Sequence, residues 1–87
     1  MKYYVYLIIS KKYNKYTSYV GFTNNIEKRL YLHNNSKGAK FTRGKIWELA
    51  YIKQYKSKVL AMKEEYKLKN NINLRAKIKK DFIQSNQ

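Results

Sequence analysis

Arg29 and His33 stand four residues apart in a stretch where Ile26 and Leu30 recur at helical spacing. A helix projects both side chains from one face, about 6 Å apart, at the edge of the stripe that packs. Only Arg29, Arg43 and Arg75 stand among seventeen lysines, so each arginine is a candidate for a place where a bidentate fork matters. Tyrosines form a second group. Tyr4 and Tyr6 alternate along one segment, and Tyr19 on a neighbouring strand can join their face. The third group is the acids, of which the chain has five. Glu64 and Glu65 are adjacent, so on a helix they point about 100° apart and only one can face a given site. Glu65 lies four residues after Ala61 and three before Leu68, on the side that packs, which assigns Glu64 to solvent. An inward acid is costly without a partner or a cation. With so few acids, catalysis here would run on one divalent ion held by one carboxylate. Each group also has a plain reading: a snorkelling arginine, a boundary histidine, tyrosines packed with their hydroxyls at the rim.

The elements that must position these residues are readable in order. Tyr3 to Ile9 is β-branched and aromatic, a strand signal, and Ser18 to Phe22 reads as a second strand. The short polar stretch between them makes the two an antiparallel pair. Asn24 is placed to cap a helix, with Glu27 three residues on; the pattern stops at Asn34 and Asn35. Ser36 to Lys45 reads as an exposed loop. Ile46 to Tyr55 reads as a third strand whose two faces are both partly apolar, so helices are expected on both. Ser57 caps the next helix, with Ala61 and Leu68 buried, and Asn70 and Asn71 break it. Asn73 caps a last helix with Leu74, Ile78 and Phe82 on one side. The order is β-β-α-β-α-α, an α+β chain with helices packed on a three-stranded sheet.

Composition bounds the function. Eighty-seven residues suit one domain. The net charge of +15 attracts polyanions and opposes self-association. Abundant lysine, asparagine, isoleucine and tyrosine are what AT-rich codons produce, but that bias does not explain the scarcity of acids. The field therefore points to nucleic acid. The absence of cysteine excludes disulfides, thiolate zinc sites and cysteine nucleophiles. A single histidine excludes His-pair metal motifs. Gly21, Gly38 and Gly44 form neither a Walker loop nor a dinucleotide fingerprint. The apolar run Val5 to Ile9 is far too short for a membrane span. A cytoplasmic, monomeric, basic domain is expected.

Together these residues carry a resemblance. Tyr4-Val5-Tyr6, Tyr19-Val20-Gly21, Arg29 and His33 on a helix, and the glutamate within Ala61-Met62-Lys63-Glu64-Glu65 resemble the GIY-YIG nuclease family. The loop Lys37 to Gly44 followed by Trp47-Glu48-Leu49 is similar to the short standalone bacterial branch of that family. The likeness runs over roughly residues 3 to 82. The first motif lacks its glycine and the second has Val20 in place of isoleucine, both at positions that mainly pack.

The resemblance implies a three-stranded antiparallel sheet flanked by helices, a single nuclease domain over residues 1–87, and phosphodiester hydrolysis with one Mg²⁺ or Mn²⁺. By it, Tyr6 and Tyr19 match the motif tyrosines, one or both acting as general base or water positioner. Tyrosine is a poor base at its usual pKa of about 10; a cation and a guanidinium nearby favour the phenolate. Arg29 matches the phosphate clamp, His33 the position that assists the nucleophile or contacts phosphate, and Glu65 the metal ligand. Lys40, Thr42 and Arg43 are expected to lie beside the site and hold the strand's backbone. Some relatives carry a late asparagine, for which Asn70, Asn71 and Asn73 all stand nearby. No appended DNA-binding domain is expected, so target choice is expected to fall to the domain itself or to a protein partner.

Two function classes follow. One is a metal-dependent endonuclease acting on single-stranded or branched DNA in repair, recombination or DNA processing, with Phe41 and some tyrosines stacking on unpaired bases. The other is a basic nucleic-acid-binding module without catalysis, a degenerate nuclease, whose binding persists in EDTA. A membrane-surface role for the last helix is weak, because its apolar side is needed to cover the sheet.

Overall fold

The computed structural model describes residues 1–85. Strands β1 (Tyr3–Lys12) and β2 (Lys15–Thr23) are followed by α1 (Ile26–Asn34), a single 3-10 turn (Lys40–Thr42), β3 (Glu48–Tyr55), α2 (Lys58–Asn70) and α3 (Ile72–Ser85). The sheet order is β2-β1-β3, antiparallel throughout. The expected α+β architecture and β-β-α-β-α-α order are those of the structure.

β1 is central, and its alternation divides the molecule into two layers. Val5, Leu7 and Ile9 face α2 and α3, packing with Val20, Ala61, Leu68 and Ile78. Tyr6 and Ile8 point the other way and pack with Trp47, Tyr19, Ile26 and Leu30 beneath α1. Because both faces are covered, the stretch from Val5 to Ser10 is buried without a break, which is why it reads as a continuous apolar run and not an alternating one.

Several boundaries differ from expectation for local reasons. Asn25, not Asn24, is the N-cap of α1, its Oδ1 accepting from the Lys28 N–H at 3.1 Å. The Thr23 hydroxyl accepts from the Asn25 N–H just before it, so the helix starts one residue later. β3 begins at Glu48, because Trp47 is tied to Asn34 by reciprocal backbone–amide bonds instead of joining the ladder. A bulge between Leu7 and Ile8 leaves Ala50 without a partner on β1 and breaks strict alternation in β3. Ile52, which shares the face of Tyr6, remains 41% exposed, so α1 covers that face only in part. Ser57 caps α2 as expected. Asn71, not Asn73, caps α3, accepting from the Leu74 N–H.

Candidate active site

Tyr6 is the hub of a buried polar chain on the α1 side of the sheet. Opposite it in the ladder sits Gly21. A side chain at Gly21 would run into the Tyr6 hydroxyl and ring, so the glycine makes the space in which the phenol turns toward α1. There the Tyr6 hydroxyl meets His33 Nε2 at 2.8 Å and accepts from Arg29 Nε–H at 3.4 Å. One helical turn separates Arg29 from His33, so both reach the same oxygen.

Donor counting fixes the direction of the whole chain. The Thr42 hydroxyl donates to the Ala39 carbonyl at 2.8 Å. Its single hydrogen is thereby used, so it must accept from His33, whose Nδ1 lies 2.9 Å away. Burial, with the Arg29 charge second, lowers the His33 pKa from 6.5 to about 4. The imidazole is neutral near pH 7, carries its one hydrogen on Nδ1, and accepts the Tyr6 O–H at Nε2. The sequence of donations therefore runs Arg29 to Tyr6 to His33 to Thr42 to Ala39.

Tyr6, His33 and Thr42 are all cut off from solvent, at 1%, 0% and 0% exposure. Burial pushes the Tyr6 phenol above its ordinary pKa, outweighing the hydrogen bond and charge of Arg29, which pull it down. The guanidinium by itself lowers the phenol's pKa less than burial raises it. Tyr19 and Glu65 add negative character that raises it further, so the Glu65 carboxylate comes close enough for its charge to be felt at the Tyr6 hydroxyl.

Tyr19 is half-buried. Its ring stands edge-on to His33, with centroids 5.3 Å apart, and stacks on Phe41 at 6.1 Å and 20°. Phe41 is 54% exposed, and Lys45 Nζ lies 5.3 Å from its centroid. The Arg29 side chain is also half-buried. Glu65 keeps 19% of its side chain exposed, with Lys69 Nζ 3.5 Å from Oε1. Tyr6, Tyr19, Arg29 and His33 thus converge by direct contact, and Glu65 joins them by electrostatic reach. Among the described residues no three His, Cys, Asp or Glu side chains cluster to hold an ion.

The loop residues divide. Lys40 and Arg43 are exposed on the 3-10 turn. Thr42 lies beside the site, but below the surface, with its hydroxyl engaged by His33 and Ala39. The loop as a whole is not merely exposed: Trp47 Nε1–H donates to the Thr42 carbonyl at 2.9 Å, which locks the turn over His33. A side chain at Gly38 would collide with the His33 ring, a requirement that no periodic pattern in the sequence announces. Glu64, assigned to solvent, instead faces the sheet between Val5, Tyr51, Lys53 and Tyr55. Its charge, after burial, helps to raise the Tyr55 pKa.

The family model described as the GIY-YIG catalytic domain matches residues 2–79. A UPF0213 protein of Oceanobacillus iheyensis is 44% identical over 69 residues, covering 78% of this chain and 77% of that protein. A UPF0213 protein of Clostridium perfringens is 43% identical over 67 residues, covering 76% and 69%. The solution NMR structure of a UPF0213 protein from Bacillus halodurans is 32% identical, with a TM-score of 0.46 over 97% of this chain and 84% of that one.

Proposed function

The chain belongs to the GIY-YIG family, a nuclease family, and from that premise we propose that it is a divalent-metal-dependent endonuclease hydrolysing DNA phosphodiester bonds, with residues 1–87 forming one catalytic domain. The observation that carries the reading is the convergence of Tyr6, Tyr19, Arg29 and His33 under the charge of Glu65. The net charge of +15 supplies the attraction for a polyanion.

Roles follow from exposure. Tyr19, half-buried at the rim, positions the attacking water and takes its proton. Tyr6, sealed from solvent, holds Arg29 and His33 in register. The Nε–H of Arg29 is spent on Tyr6, so its terminal nitrogens are left for the phosphate oxygens, where a fixed charge stabilises the transition state. His33, neutral and fixed in one tautomer, steadies Tyr6 and bounds the ring of Tyr19. Lys40 and Arg43 hold the strand's backbone from the 3-10 turn.

The donor set suits Mg²⁺ or Mn²⁺ in a restricted sense. Mg²⁺ is commonly held by one or two carboxylates with water and substrate phosphate completing its shell, and Glu65 is a largely buried carboxylate whose charge reaches the Tyr6 hydroxyl. Glu65 would hold one ion, which when bound neutralises charge on the phosphate and lowers the pKa of water.

The exposed Phe41, stacked on Tyr19, fits an unpaired base better than plain duplex; we assign single-stranded or branched DNA, as met in repair and recombination, as the substrate. No helix among the described residues is long and apolar enough to cross a membrane; we place the protein in the cytoplasm, as a monomer whose targeting can involve a protein partner. The test is cleavage of labelled single-stranded, flapped and duplex DNA in Mg²⁺, Mn²⁺ and EDTA. A non-catalytic basic module would bind all three in EDTA and cut none.

A further inference from the structure

Arg75 is the one arginine that the site above does not use, and its surroundings are unusual. Its Nε is shut off from solvent and has no hydrogen-bond partner. Nor does its guanidinium form an ion pair among the described residues: Glu64, Glu65 and Asp81 are engaged by Lys67, Lys69 and Lys77. An unsatisfied buried donor on a permanent cation is a cost with no return inside the chain. Arg75 lines a recess of about 190 Å³ with Ser18, Ile72, Ala76 and Lys79. Lys79 is drawn into it, its Nζ donating to the Tyr16 carbonyl at 2.9 Å, which holds a second cation against β2 while leaving ammonium hydrogens unspent. Guanidinium, ammonium and hydroxyl together make a receptor for a phosphate-type anion.

The position of the recess says which anion. Ser18 immediately precedes Tyr19, and the two side chains leave β2 on opposite faces, about 3.3 Å apart along the strand. β2 is an edge of the sheet, so a polynucleotide passing Tyr19 can wrap this edge without crossing the core. We propose that Arg75, with Lys79 and Ser18, forms a second phosphate subsite, taking a backbone phosphodiester of the nucleic-acid strand whose neighbouring phosphate lies at Tyr19. The subsite rests on the nuclease reading for its ligand, and on Arg75, Lys79 and Ser18 for its construction.

The test is binding without turnover. A fluorescently labelled single-stranded oligonucleotide is titrated in EDTA over a range of salt concentrations with wild type, Arg75→Gln and Arg75→Lys, and the thermal stability of each is measured. For Arg75→Gln the subsite predicts affinity lower by roughly 3- to 10-fold and a log–log salt slope shallower by about 0.7, the value for one phosphate contact on a single strand. Arg75→Lys keeps the slope. Arg75→Gln retains or gains thermal stability, because the residue it removes was unsatisfied; a merely structural arginine would lose stability and leave the slope alone. An unchanged slope and affinity in Arg75→Gln overturn the proposal. So does stabilisation of wild type but not Arg75→Gln by millimolar inorganic phosphate with no change in the oligonucleotide slope, since the recess then takes free phosphate. A protein that shows the Arg75 dependence yet cuts no DNA counts against hydrolysis and leaves the subsite standing.

Discussion

Gly21 lies directly across the β1–β2 ladder from Tyr6, and the space where its side chain would stand is filled by the Tyr6 hydroxyl and ring. This is why the second motif ends in glycine: the missing atom is what allows a phenol on the central strand to turn toward Arg29 and His33. Gly21→Ala is expected to destabilise the protein by about 1–3 kcal/mol, the usual cost of overpacking a filled core. It should also reduce cleavage beyond what the lost folded fraction explains. Thermal unfolding paired with single-turnover rates well below the melting temperature separates the two effects.

The two motif tyrosines should fail differently. Tyr6→Phe leaves both Arg29 Nε and His33 Nε2 without partners in a site closed to water, costing about 1–3 kcal/mol. Tyr19→Phe removes a rim hydroxyl and should change stability by less than about 0.5 kcal/mol, while cleavage falls on the order of 100-fold or more. Denaturant unfolding and initial rates on one substrate give both quantities. Equal stability losses would contradict the division of roles.

Thr42 holds the hydrogen of His33 on Nδ1. Thr42→Val takes that acceptor away, strands a buried N–H and removes the reason for one tautomer to dominate. Two-dimensional ¹⁵N correlation of the imidazole should show a single Nδ1–H species in wild type and a mixture in Thr42→Val. The same variant should lose cleavage through kcat more than KM, because the phosphate-facing atoms are untouched.

The pH dependence has a definite sign. The His33 pKa is about 4 in the folded protein against 6.5 ordinarily, so below pH 6.5 the unfolded chain takes up a proton that the folded one refuses. His33 therefore withdraws stability progressively as pH falls from 6.5 to about 4, and contributes no such dependence above 6.5. Melting temperatures across pH 4–8 should drop more steeply on the acid side for wild type than for His33→Asn. An imidazole ¹H titration with a midpoint near 6.5 would contradict the burial of the ring.

Much of the site was legible because its parts lie in periodic elements. Four-residue spacing placed Arg29 and His33 together, strand alternation put Tyr6 in reach of Tyr19, and Glu65 fell between Ala61 and Leu68 on the packing side of its helix. The rest depended on contacts that no period encodes. Thr42 is held under the turn by Trp47, itself anchored to Asn34, a long-range tie invisible in a polar, glycine-containing loop. Glu64 faces the sheet because α2 presents a broader inner surface than the Ala61–Leu68 line suggests. Asn24 and Asn25 are equally good caps by type, and the Thr23 hydroxyl decides between them. The bulge at Ala50 shifts the later residues of β3 by one, which alternation alone misses.

Glu65 is proposed to serve hydrolysis beside the point where Tyr6, Tyr19, Arg29 and His33 meet. The most direct measurement is cleavage of the single-stranded, flapped and duplex panel by wild type and Glu65→Ala in Mg²⁺, Mn²⁺ and EDTA. The expected result is metal-dependent nicking by wild type that EDTA abolishes, with Glu65→Ala slower on the order of 100-fold or more and folded as stably as wild type. Cutting by Glu65→Ala at the wild-type rate, or no cutting of any substrate by either protein in either metal, would contradict it.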